Sequence, residues 1–463
     1  MLYHTRRIER VRKDLSQKNI DEFMNCVSPW ISFPKDCDRN RRNRFFNFRF
    51  LFWLFLFQIF ESDCSCSKTV SKAIALLASK RRKTPSPNSG SYCKAREKLS
   101  LDSIKKILHT LSKCSQDEIY KDDFWPDKII KVIDGTTCTM PDTRANQESY
   151  PQLTTQKPGC GFPITRLVAI FSLSLGTILD WSNGPYVESE KSLFRSLIDT
   201  LKKDDVLLAD RGFDAYADFN FLLQRKVNFV IRANESNRKN IQVLKRLSKT
   251  DHLVRLFKPA SCSRGLDMET WRAMPESIVL RRITYFIQTK KSRTKKVAVL
   301  TDLVDSQKFQ TNSFKELYYR RWRVELFLRD IKKSMGMDEL SCKTPEMVEK
   351  ELCMHIIGYN LIRNIMHKAA LKKGEDSERI SFKRSLNCFE EFLPFLEAAE
   401  NNTESLEYLL DEMYSKIGSM KNPLRPNRRE PRAKKRRPKP YQLLTEHRSV
   451  FREIPHRGKR QYS

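Results

Sequence analysis

Hydrophobic positions along the chain fall into two textures, and the change comes near Lys128. Before it, apolar residues recur at helical spacing. Phe45–Phe60 is apolar almost all round, which predicts a helix buried on every side. Thr69–Lys80 reads as a second helix, Thr84–Gly90 (TPSPNSG) as a loop, and Ser91–Lys113 as further helix. The run Phe50–Phe57 is too short to span hydrocarbon and is bounded by Arg49 and Gln58, so no membrane segment is expected.

After Lys128, short apolar runs between turn residues take over. Lys128–Asp134 ends in Asp134-Gly135, a strand followed by a turn. Ile164–Leu173 and Thr177–Trp181, divided at Gly176, predict a hairpin. Ser189–Leu201 has helical period, and Val206–Ala209 (VLLA) reads as a buried strand closed by Asp210-Arg211-Gly212. Tyr216–Gln224 is helix-like and Val227–Ile231 strand-like. This order predicts an α/β layered core. From Asn234 to Thr311 the alternation stops, and Leu253–Phe257, Ile278–Gln288 and Lys296–Thr301 predict a mainly β insertion. Helix returns at Ser313, where Ser313-x-x-Glu316 has the form of a capping box. Glu346–Lys372, directly after Pro345, predicts a long helix. The expected division is a helical N-terminal domain (1–125), a first core part (126–233), a β insertion (234–311), a second core part (312–400) and a C-terminal segment (401–463).

Charge narrows the class of partner. The 463 residues carry 87 Lys+Arg against 56 Asp+Glu, a net +31, which points to a polyanion and to nucleic acid ahead of a membrane. Residues 1–127 hold 25 basic and 15 acidic groups, residues 128–424 hold 48 and 38, and residues 425–463 hold 14 and 3. The flanks are therefore dense in positive charge and the centre is mild. Arg425–Lys439 has nine Lys/Arg in fifteen residues, punctuated by proline, and predicts a disordered or extended arm. Basic clusters Arg39–Arg44 and Lys80–Lys83 beside the N-terminal helices fit either a helix-turn-helix DNA reader or a packing domain with a basic face. The 12 Cys are scattered without a CxxC pair, so reduced thiols in an intracellular protein are expected, and no zinc site. The opening MLYHTRRIERVRKD is unlike a secretory leader.

Candidate chemistry gathers on three segments. Asp134 and Asp210 both close strands, and the carboxyl ends of strands in open α/β sheets are where ligands bind. Each also has a plain structural reading, Asp134 as a turn former and Asp210 as a partner of Arg211. Beyond Ser313, an ideal helix places Tyr318, Arg321, Glu325 and Lys332 within an arc of about 60°. An Arg321–Glu325 ion pair on a solvent face would account for only two of these four. Converging carboxylates repel unless cations neutralise them, and two Mg²⁺ ions could clamp the oxygens of an in-line phosphoryl transfer. Tyr318, Arg321 and Lys332 would then hold the flanking phosphates. Asp142, Asp180 and Glu190 are rival acids near the core, Glu190 having the position of a helix cap.

The spacing Tyr318-x₂-Arg321-x₃-Glu325-x₆-Lys332 resembles the YREK signature of DDE transposases of the IS-four family of bacterial insertion sequences. The blocks Asp134-Gly135-Thr136-Thr137, Met140-Pro141-Asp142-Thr143 and Leu207-Leu208-Ala209-Asp210-Arg211 are similar too. So are Lys343-Thr344-Pro345-Glu346-Met347, Tyr359-Asn360-Leu361-Ile362-Arg363 and the Arg429–Pro440 tail. The resemblance implies a ribonuclease-H-like core interrupted by the β insertion. It implies Asp134, Asp210 and Glu325 as catalytic, metal-binding triad for two Mg²⁺ ions, with Mn²⁺ as a substitute, and Tyr318, Arg321 and Lys332 as DNA-phosphate contacts. It further implies cut-and-paste transposition on double-stranded DNA, with terminal inverted repeats and target DNA as partners. A homodimer in the synaptic complex and a cytoplasmic, nucleoid-associated bacterial protein go with it. Some members form hairpin ends and hold a flipped base on an aromatic of the insertion, for which Trp271 is the candidate, although packing on a strand accounts for it more simply. The alternatives are a transposase-derived DNA-binding protein without cleavage activity and another ribonuclease-H-like nuclease such as a junction resolvase.

Overall fold

The computed structural model describes residues 31–34, 46–61, 64–79, 81–117, 125, 128–235, 240–287, 295–399, 402–423 and 443–451. The clusters Arg39–Arg44 and Arg425–Lys439 lie outside them. The chain enters through α1 (Phe48–Phe60), α2 (Cys66–Ser79), α3 (Gly90–Glu97) and α4 (Leu101–Asp117). Every residue of α1 except Arg49 is buried, as its all-round apolar sequence predicts. Its first turn is capped by Asn47, whose side chain accepts the Phe50 N–H at 2.9 Å. The single helix expected over Ser91–Lys113 is two. Ser100 starts the second by accepting the Ser103 N–H at 3.2 Å.

The strands come next: β1 (Ile130–Thr139), β2 (Ile164–Ser172), β3 (Ile178–Pro185), β4 (Val206–Ala209), β5 (Asn228–Arg232), β6 (Ile241–Ser248), β7 (Asp251–Phe257), β8 (Ser277–Ile287) and β9 (Lys295–Thr301). Helix α5 (Arg144–Ser149) lies between β1 and β2, α6 (Glu190–Arg195) between β3 and β4, α7 (Tyr216–Gln224) between β4 and β5, and α8 (Met268–Ala273) between β7 and β8. The nine strands among the described residues share one sheet in the order β3-β2-β1-β4-β5-β9-β8-β7-β6. The first three are an antiparallel meander, and β1, β4 and β5 run parallel. The insertion thus prolongs the core sheet, β9 pairing antiparallel with β5. Strand β6 escaped the hydrophobic pattern because it is the outer edge, with its residues mostly exposed on both faces.

Both faces of the central strands are buried, which is why β4 reads as an unbroken apolar run. Val132, Leu208 and Val230 pack on one face against α1, α4 and later helices. Ile133, Leu207, Ala209 and Ile231 pack on the other with α6, α7 and α8. After the sheet come α9 (Thr311–Arg320), α10 (Arg323–Arg329), α11 (Pro345–Lys373), α12 (Phe382–Ala398) and α13 (Thr403–Ser419). Helix α9 begins two residues before Ser313, whose N–H bonds the Gln310 carbonyl, so the expected capping box does not form. Helix α11 starts with Pro345 in its first turn and stops at Gly374 in the left-handed region, φ 63°. It packs against α1, α4 and α13 and forms the spine of the helical layer. No helix among the described residues is long and apolar enough to cross a membrane.

Candidate active site

Strand alternation places Asp134 on the face of Val132, and Asp210, following Ala209, on the face of Leu208. That is the face covered by α9 and α10. Asp134 is largely buried and its Oδ1 accepts the Gly135 N–H at 2.8 Å. Burial pushes its carboxyl up to about 6. The Gly135 N–H and Arg321 pull it down, while the negative charges of Asp210 and Glu190 push it further up. Asp210 is not paired with the exposed Arg211. Instead its Oδ1 accepts the Gly212 N–H at 2.6 Å and starts a short helical turn.

The opposite wall is a helix with two distortions. From Tyr318 to Glu325 the backbone N–H groups of Arg321, Trp322, Val324 and Glu325 bond carbonyls three residues back, which overwinds the turn between α9 and α10. Asp330–Ser334 then forms a π turn, which underwinds it. The even helix expected from Tyr318 to Lys332 is therefore an overwound and an underwound stretch in series. The π turn lets Asp330 meet Arg363 at 2.8 Å and Ile331 enter the core while Lys332 reaches β1. Arg363 also donates to the Tyr359 hydroxyl and lies over the Phe327 ring, fixing the wall from beneath. Asn360 clamps α11 to β3 through both Ile178 backbone groups.

Arg321 is buried between the walls, 3.7 Å from Asp134 Oδ2 and 3.7 Å from Glu325 Oε1. Glu325 is 49 % exposed. Tyr318 is only 5 % exposed, and burial raises its hydroxyl to about 12. That hydroxyl has no hydrogen bond of good geometry among the described residues. Lys332 spends two of its three donors on Thr136 Oγ1 at 3.0 Å and the Thr137 carbonyl at 2.9 Å. Asp134, Arg321 and Glu325 are thus in contact, Asp210 is within electrostatic reach, and Lys332 seats the helix on β1. Among the described residues, no three acidic, imidazole or thiol side chains are gathered closely enough to hold a metal ion.

The rival acids separate. Asp142 is tied to Arg448 and Gln147, and Asp180 to Thr200 and the Trp181 N–H, so both are occupied in local structure. Glu190 lies beside Asp134 and Asp210, coming from the opposite sheet face at the start of α6. Burial raises its carboxyl, Arg166 at 4.0 Å lowers it, and Asp210 raises it. Trp271 sits on α8 rather than on a strand and is 4 % exposed, against the Tyr216 ring. Its indole is core, which corrects its candidacy for holding a base. The exposed aromatics beside the site are Tyr319 and Trp322, the latter with Arg321 against its ring. The sequence offered no cue to them apart from their place within the signature.

Residues 125–361 match the family described as Transposase DDE domain. The chain belongs to that family. The transposase InsG for insertion sequence element IS4 of Escherichia coli (strain K12) is 26 % identical to it over 352 residues, spanning 75 % of this chain and 76 % of InsG. The likeness read from the YREK spacing, to the IS4 kind of DDE transposase, is met. The chain is a DNA transposase. Among solved structures, a piggyBac transposase synaptic complex with hairpin DNA overlaps 86 % of this transposase and 81 % of its own chain, at 11 % identity and a TM-score of 0.44.

Proposed function

We propose that the transposase cuts DNA at the ends of its own insertion sequence and joins the freed 3′ ends to a target, with Asp134, Asp210 and Glu325 as its catalytic carboxylates. The observation that carries this reading is the position of Arg321, in contact with Asp134 from β1 and Glu325 from α10. It brings the signature helix and the first strand to one point. The β3-β2-β1-β4-β5 half of the sheet supports a ribonuclease-H-like core, with Asp134 on its first strand and Asp210 after its fourth.

The carboxylates at the two strand ends have the donor chemistry of a divalent-cation site, the charge of Asp210 opposing that of Asp134. A Cβ at Gly212 would fall 2.8 Å from Asp210 Oδ1, and one at Gly135 2.7 Å from Glu190, so the two glycines let these carboxylates lie directly against the backbone. Asp134 and Asp210 would hold Mg²⁺, or Mn²⁺ in its place, with Glu325 closing from the half-exposed helix. Bound there, such ions supply Lewis-acid stabilisation of the scissile phosphate and activation of water. Arg321, once released from the carboxylates, is placed to hold a phosphate beside the scissile bond, and the buried Tyr318 hydroxyl offers it a donor. The third Lys332 donor adds to that grip. Tyr319 and Trp322 offer ring faces for unpaired bases.

The partners are set by charge. The basic flanks, residues 1–125 and 401–463, grip the terminal inverted repeats and target DNA around the 126–400 body, and two chains pair to bring two ends together. The protein works in the bacterial cytoplasm at the nucleoid. The deciding experiment is Glu325→Gln, assayed for cleavage of a duplex carrying the element's own ends in Mg²⁺ and for end binding by gel shift. Cleavage is lost while binding stays within about twofold, since one exposed neutral isostere leaves the phosphate contacts in place. Cleavage at the parent rate overturns the triad.

A further inference from the structure

Helix α9 carries Tyr318 and leads into Arg321 and Glu325, yet it has no start signal of its own. Gln310 stands at its N-cap without a side-chain bond to the first turn. What holds its first residue comes from the β insertion. The Thr311 hydroxyl donates to Asp251 Oδ2, at the start of β7, at 2.9 Å. Asp251 in turn is gripped by Arg281 of β8, Nε to Oδ1 at 2.9 Å and Nη2 to Oδ2 at 2.5 Å. Both side chains are buried, Arg281 completely.

Fastening the insertion to itself does not explain this node, because β7 and β8 are already joined by their backbone ladder. The remaining nitrogen of Arg281, Nη1, leaves the sheet. It donates to the Phe309 carbonyl at 2.8 Å, with the Asp305 and Leu303 carbonyls at 3.3 and 3.4 Å. All three carbonyls belong to the connector from β9 to α9. The guanidinium also lies over the Phe314 ring, in the first turn of α9. One buried cation therefore gathers the connector and the helix start onto the insertion. Stability explains the node poorly too, since apolar side chains in place of a buried ion pair often fold as well. What they do not supply is direction, because a guanidinium holds its donors in a fixed planar fork. A second buried pair, Arg363 with Asp330, holds the wall past Glu325. Tyr318, Arg321 and Glu325 lie between the two.

We propose that the β insertion is the platform that aims the signature helix at the strand carboxylates, with Arg281, Asp251 and Thr311 as positioning residues for Glu325. The proposal rests on the reading of Glu325 as a catalytic carboxylate. The node fixes where α9 begins, Arg363 fixes where the wall ends, and the overwound turn between them sets Arg321 against Asp134. About 21 Å of helix separates Thr311 from Glu325. Misplacing a reacting group by about 1 Å costs about 100-fold in rate, so a joint this far from the chemistry acts on the chemical step and leaves the DNA contacts alone.

The test is single-turnover cleavage of a duplex carrying the element's own ends, in Mg²⁺ with the full chain in excess. Rate constant and amplitude are read separately, because a misfolded fraction lowers the amplitude and a misaimed helix lowers the rate constant. Arg281→Met combined with Asp251→Leu replaces the node with apolar side chains. Its rate constant falls about 100-fold at parental amplitude, with end binding within about twofold by gel shift. Thr311→Val lowers the rate constant about fivefold, the value of one hydrogen bond, and Thr311→Ser, which keeps the hydroxyl, restores it. Parental rate constants in the double variant and in Thr311→Val, with Glu325→Gln inactive, overturn this proposal alone. A loss of amplitude at unchanged rate constant does the same, since the node then only keeps the chain folded. Cleavage by Glu325→Gln at the parent rate removes the triad reading and the proposal with it. If circular dichroism shows the double variant unfolded, the two Thr311 variants decide by the same pair of readings.

Discussion

The two walls of the site are built on opposite plans. The strand wall sets Asp134 and Asp210 on β1 and β4, whose apolar residues are buried on both faces. The helical wall offers Glu325 half in solvent on a turn whose winding changes twice. In the first, position is certain and ionisation is costly, because desolvation and neighbouring carboxylates oppose the charge on Asp134. In the second, the carboxylate stands half in solvent, and the fixed points lie beneath it at Asp330 and Arg363. On the proposed reading, a site that admits cations and a DNA strand combines a wall buried in the sheet with a wall that faces solvent.

The contrast breaks first, and with the largest effect, if the helical wall is not held from beneath. Arg363→Met leaves Asp330 buried with only the surface-exposed Arg329 near it, and should cost about 3–5 kcal/mol in urea unfolding. An unchanged midpoint would mean that α11 does not anchor the wall. The strand wall is tested by Asp134→Asn in EDTA. A folded-state value near 6, above the ordinary 3.8, means that the folded parent holds its proton longer than the unfolded chain does. The parent therefore bears no penalty below about pH 4 and loses stability relative to the variant as pH rises to 6. The variant's advantage should approach about 3 kcal/mol by pH 7, and a difference independent of pH would overturn the account. Thr136→Val removes one of the two Lys332 bonds joining the walls and should cost about 1 kcal/mol by the same unfolding measurement. Glu325→Gln marks the low end. With its side chain half exposed, it should shift stability by no more than about 0.5 kcal/mol, and a larger loss would show that the helical wall carries folding energy of its own.

The plan of these walls was legible to different depths. Strand runs such as Val206–Ala209 announced themselves because burial on both faces leaves a contiguous apolar block. Helix α1 did so because it is apolar all round. The signature spacing placed Arg321 and Glu325 together, since two long side chains four residues apart can still meet, here at 3.7 Å. The winding itself was hidden. Overwound and π turns depend on what the backbone meets in space, here Arg363 and β1, and neither lies within one turn in sequence. Glu190 stood among the rival acids, but its proximity to Asp134 was not legible, because it comes from the packing of α6 on β2 and β3. The outer strand β6 lacked an apolar stripe because nothing covers it. Asp142 looked like a candidate because Arg448, which holds it, stands some three hundred residues later in the chain.

The π turn at Asp330–Ser334 behaves as a dislocation does in a crystal. It is one residue more than a regular turn requires, and moving it by one position along the helix breaks one N–H···O bond and makes another. The count of backbone hydrogen bonds does not change, so the defect is pinned by its side chains, Asp330 on Arg363, Ile331 in the core and Lys332 on β1. Each step of such a defect turns only the residue it passes, by about 100° around the helix axis and about 1.5 Å along it, while the helix before and the helix beyond keep their places. Glu325 precedes the defect and Lys332 lies within it. The spacing that names the signature is thus a variable of the chain as well as a count in its sequence.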